Sequence, residues 1–186
     1  NAFATGRNPG KGVVCVTQGL MDTLEEDEVS GVIAHELAHI RNRDTLVNSV
    51  VATIAGAVGI LAEMAFWGAM LGGREEEGEM ISALALMILT PLIATVIRMA
   101  ISRSMEFRAD SGAVEISGER EGLSSALQKI TQSSSQPLQR HASRSQEAAA
   151  NLFISNPFSG DKITKWFSTH PPLEERLDNI RNTEVE

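Results

Sequence analysis

At 186 residues and 20.0 kDa the chain is long enough for one ordinary domain with a sizeable core. A formal net charge of -8 and a pI near 5.1, with no Lys/Arg cluster, exclude the electrostatic footprint of a nucleic-acid binder. The single cysteine, Cys15, excludes an internal disulfide and, between Val14 and Val16, reads as a packed strand residue.

The chain begins at Asn1 without Met and inside a strand-like stretch, so it reads as part of a longer protein. Residues 1–6 and 13–17, joined by the turn-rich stretch 7–12, are expected to form a β-hairpin. If its first strand is an edge, an extended peptide could add to it through main-chain hydrogen bonds, and a purely structural hairpin fits the sequence equally.

Thr23 followed by Glu26 reads as a capping box, and Val29, Val32, Ile33, Leu37 and Ile40 recur at helical spacing behind it. Mid-helix stands His35-Glu36-Leu37-Ala38-His39, the pattern H-E-x-x-H. Residues four apart share a helix face, so His35 and His39 can aim two imidazoles at one cation while Glu36 flanks the open position of a catalytic zinc. The alternative is a helix carrying two histidines for packing or for a structural metal.

Residues 46–71 are rich in Ala, Val, Ile, Leu and Gly, with Glu63 their one charge. Residues 80–97 carry no charge, contain Pro91, and continue apolar to Ile101 around Arg98. Each stretch is long enough to cross a bilayer as a helix, which predicts a transmembrane hairpin around an acidic turn; a buried hairpin of a soluble protein is the competing reading. The turn, 74–79, has one Arg and four Glu, whereas Arg41, Arg43, Arg98, Arg103 and Arg108 lie toward the opposite ends. Because Lys and Arg accumulate on the cytoplasmic side, the zinc-bearing part is expected in the cytoplasm.

Nothing breaks the helical pattern between Pro91 and Gly112, so the second span should run directly into a helix carrying Glu106 and Asp110, four apart on one face. A catalytic zinc needs a third protein ligand, and no third His follows at short spacing. Glu106 is the candidate, with Asp110 suited to fixing the tautomer of a ligating histidine; as spacing alone, the pair could equally be surface acids. Residues 119–131 show an amphipathic stripe, 133–145 read as a loop holding His141 at the surface, and 146–154 and 161–167 as helical pieces. His170 precedes a helix whose first turn contains Pro.

Taken together, H-E-L-A-H-I-R-N-R-D, two apolar spans, S-R-S-M-E-F-R-A-D and T-H-P-P-L-E-E-R resemble the HtpX family of bacterial membrane-bound zinc metalloproteases, relatives of the CAAX prenyl proteases. The resemblance implies a mainly α (α+β), zincin-like fold with a small β-hairpin and an inserted transmembrane helical hairpin. Residues 1–45 would hold the hairpin and zinc-motif helix, 46–101 the transmembrane hairpin, and 102–186 the remainder with the third ligand. It implies one Zn2+ per chain on His35, His39 and Glu106, Glu36 as general base, Asp110 behind a zinc histidine, and His170 near the substrate as a donor to the developing oxyanion. The opening N-A-F-A-T-G is similar to the family's substrate-side strand, which makes Asn1, Ala2, Phe3 and Ala4 substrate-binding. The expected activity is an endopeptidase of damaged or misfolded membrane proteins in stress-linked quality control, multi-pass in the bacterial plasma (inner) membrane, with polypeptides and the lipid bilayer as partners and no nucleic acid. Two further upstream spans are expected of such a protein. The rival readings are a CAAX-type prenyl-protein processing protease and a non-catalytic zinc-binding membrane adaptor.

Overall fold

The computed structural model describes residues 1–6, 8–71, 77–134 and 170–185. Among the described residues are six α-helices, one antiparallel pair of strands and, between the strands, a 3-10 turn at Pro9–Lys11: β1 (Ala2–Thr5), β2 (Val13–Val16), α1 (Gln18–Met21), α2 (Glu26–Asn42), α3 (Asp44–Leu71), α4 (Glu77–Ser117), α5 (Glu121–Ser134) and α6 (Leu173–Asn182). The sequence readings over 135–169, including the loop with His141 and the two helical pieces, lie outside the described residues.

β1 and β2 pair as a hairpin with Ala2 opposite Val16 and Thr5 opposite Val13. Val14 and Val16 are partly buried while Val13 and Cys15 face outward, so Cys15 is exposed rather than packed as expected. The strand alternation holds; its phase puts the cysteine on the solvent side.

α2 starts two residues later than the sequence reading. Glu25 is the N-cap, its side chain and that of Glu28 completing a reciprocal capping box, whereas the Thr23 hydroxyl donates back to Gly19 O. Glu26, Asp27 and Glu28 in the first turn complement the positive end of the helix dipole. Helix α2 packs on β1 and α5 over a core that includes Val32, Ala34, Val114, Leu123, Leu127 and Ile180. Its backbone comes so close to α5 that a Cβ on Gly31 would stand 2.5 Å from Leu123 N, and one on Gly122 2.4 Å from Asp27 O. Only glycine admits that approach.

The chain divides into two compact units, Asn1–Thr45 with Ser102–Glu186, and Leu46–Ile101. The second unit is helical and turns its apolar side chains outward: Ile54, Ile60, Leu61, Ile88 and Ile93 are all exposed. Both of its helices are long and apolar enough to cross a membrane, and the most apolar window of each contains no buried residue. As the pattern from Pro91 to Gly112 predicted, α4 continues without a break into the segment bearing Glu106 and Asp110.

Candidate metal centre

α2 presents His35 and His39 on one face with their Nε2 atoms 3.1 Å apart and their rings nearly perpendicular, at 88°. α4 brings Glu106 to the same point, Oε2 3.7 Å from His35 Nε2 and Oε1 3.7 Å from His39 Nε2. Tetrahedral donors about 2.0–2.2 Å from a shared ion stand roughly 3.3–3.6 Å from one another, so these three side chains fit one metal ion with little adjustment. Glu106 Oε2 is buried and, the Arg176 guanidinium at 3.4 Å aside, has no hydrogen-bond partner among the described residues, which fits an atom that can take a metal.

Each imidazole is backed by a carboxylate that is itself held by an arginine. Behind His35, Nδ1 lies 3.1 Å from Asp110 Oδ1, and Arg176 grips Asp110 with two bonds, Nε to Oδ2 at 2.9 Å and Nη2 to Oδ1 at 2.5 Å. Arg176 Nη1 also approaches Glu106 Oε2 at 3.4 Å. Behind His39, Nδ1 lies 2.6 Å from Asp44 Oδ2, and Asp44 Oδ1 accepts from Arg108 Nη2 at 2.7 Å.

The charges of this cluster are set by burial and by one another. Burial raises the pKa of Glu36; the nearby His35 and His39 pull it down, the Glu106 charge pushes it up, the backbone N–H of Ala4 lowers it, and the balance stands above the ordinary carboxylate range. Burial alone would lower His39, but the bond to Asp44 with the charges of Glu106 and Glu36 more than reverses this. Burial likewise opposes the Arg176 charge, which Asp110 and Glu106 hold firmly in place.

His170 places Nδ1 3.2 Å from Glu106 Oε1, at the edge of the same cluster. Of the strand residues, Asn1 accepts the Thr17 N–H at 2.8 Å through its main-chain oxygen, Ala2 turns its side chain fully into the core, and Phe3 and Ala4 oppose Cys15 and Val14. The structure thus gathers His35, Glu36, His39, Glu106, Asp110 and His170 in one place.

Two residues of this cluster escaped the sequence reading. Asp44 looks like an ordinary acid at a helix start. Arg176 sits on the inner face of α6 with Leu173 and Ile180, at spacings of three and four, and an arginine on an apolar stripe signals a buried charge that needs acidic partners.

Peptidase family M48 matches residues 1–184. A Protease HtpX homolog of Desulforapulum autotrophicum is 49% identical over 98% of this chain and 59% of its own length. A Protease HtpX homolog of Pyrococcus abyssi is 46% identical over 100% of this chain and 64% of its own, and Protease HtpX of Legionella pneumophila 48% identical over 97% and 65%. The chain spans about three fifths of the length of these relatives. No solved structure matches the chain.

Proposed function

We propose that this chain, which belongs to peptidase family M48, acts as a zinc-dependent membrane endopeptidase that hydrolyses peptide bonds of misfolded or damaged membrane proteins. One observation carries the reading: the donor atoms of His35, His39 and Glu106 converge at 3.1–3.7 Å, with the buried Glu36 carboxylate against them. A zinc ion held by that trio supplies Lewis acidity toward water and the scissile carbonyl.

The remaining work falls to the chain's own groups. Glu36, with its raised pKa, takes the proton of the attacking water as the new C–O bond forms and passes it to the leaving amine. The peptide lies extended along β1, at Asn1, Ala2, Phe3 and Ala4, and because the Ala2 side chain is buried the reading there goes through main-chain groups. His170, beside Glu106, is the donor we assign to the developing oxyanion, and Asp110 holds the His35 ring.

The two exposed apolar helices support a membrane setting, and the arginines at 41, 43, 98, 103 and 108 against the acidic 74–79 support a cytoplasmic site. The deciding experiment digests an unfolded protein with wild type and Glu36→Gln, with and without chelator. Turnover that needs the metal and vanishes in Glu36→Gln, with zinc content unchanged, is the expected result. Near-wild-type cleavage by Glu36→Gln overturns the mechanism.

A further inference from the structure

Asp44 has no part in the mechanism above, yet its surroundings give it one. We propose that Asp44 is a positioning residue that locks the His39 ring with Nε2 toward the ion, a proposal that rests on the reading of His35, His39 and Glu106 as the metal-holding groups.

The geometry runs from the backbone outward. His39 and Asp44 are five residues apart, so in one continuous helix they would lie about 140° apart around the axis and could not meet. The chain instead interrupts the helix at Arg43, whose φ of 57° is the single left-handed value among the described non-glycine residues. Its N–H closes α2 onto His39 O and Ile40 O, and α3 begins at the very next residue. That turn swings Asp44 back beneath His39, where it is 4% exposed. An arginine in the left-handed region is strained, and such strain is kept where the surroundings over-determine it, often at a functional site.

Once there, Asp44 divides its oxygens between two donors. Oδ1 takes Arg108 and Oδ2 takes His39 Nδ1 at 2.6 Å. A carboxylate facing Nδ1 requires a proton on that nitrogen, so in the neutral ring Nε2 is the bare nitrogen, and Nε2 is the atom that faces His35 Nε2 and Glu106. His35 Nδ1 likewise faces Asp110, with Oδ1 at 3.1 Å, so each imidazole of the trio has an acid behind its Nδ1.

The test measures binding of Zn2+ alone, by chelator competition, to the full chain carrying Asp44→Ala or Asp44→Asn. Asp44→Ala should bind about 10–100-fold more weakly, and Asp44→Asn, which keeps an acceptor oxygen, should recover most of the loss. A second measurement reads the 15N shifts of histidine nitrogens in the metal-free wild type, where His39 should carry its proton on Nδ1. Wild-type affinity in Asp44→Ala, equal losses in both variants, or a neutral His39 ring protonated on Nε2 alone overturns the proposal; if Asp44→Ala fails to fold, the asparagine variant and the 15N shifts decide. A wild-type chain that takes up no Zn2+ would instead overturn the metal reading itself.

Discussion

The two imidazoles of the cluster are backed by the same chemistry in opposite surroundings. Behind His35, Asp110 is 0% exposed and its partner Arg176 3%, whereas behind His39 the Arg108 side chain that pairs with Asp44 is 54% exposed. A buried pair whose guanidinium makes two bonds cannot lose one member without stranding a charge in low dielectric, while a water-facing arginine is replaced by solvent at little cost. The His35 arm therefore serves both the fold and the site. On the His39 arm the acid matters and its arginine is nearly dispensable.

The sharpest way to break this comparison is to remove what the two arms share. Glu106→Gln takes the charge that faces both imidazoles, and zinc measured by metal analysis should be strongly depleted; retention at wild-type affinity would mean that the trio is misassigned. Next in size, Arg176→Ala should destabilise the metal-free chain by about 3–5 kcal/mol, because Asp110 and Glu106 are left buried without their cation. Denaturant unfolding reads this loss, and a change below about 1 kcal/mol would remove the distinction between the arms. Smallest, Arg108→Ala should cost about 0–1 kcal/mol in the same assay and leave zinc affinity close to wild type. A loss as large as that of Arg176→Ala would show that exposure does not separate the two pairs.

What the sequence made legible was local. Two histidines four apart on an amphipathic helix declare their common face, and Glu106 and Asp110 do the same on theirs. The apolar spans are equally plain, since length and lack of charge need no tertiary knowledge. The misses involve groups whose meaning depends on a distant partner or on the phase of a short element. Arg176 shares a helix with Glu174 and Glu175, which are exposed, and only the packed α6 separates the buried cation from those solvent-facing neighbours. Asp44 reaches His39 through a backbone turn at Arg43, a residue with no intrinsic preference for that conformation. Thr23 and Glu26 had the right spacing for a capping box, yet Glu25 and Glu28 made it, and a four-residue strand gave too few positions to say which face Cys15 would take.

The order of the parts along the chain also sets the order in which they can exist during synthesis. His35, Glu36 and His39 leave the ribosome ahead of residues 46–101, and Glu106 and Asp110 come after them. At roughly 5–20 residues per second the nascent protein passes several seconds with two imidazoles and no third donor. Arg176 emerges later still, so the carboxylates of α4 wait for their counter-charge until α6 has been made. A half-translated chain thus lacks the third donor by construction, and the trio is complete only once both apolar helices have been synthesised.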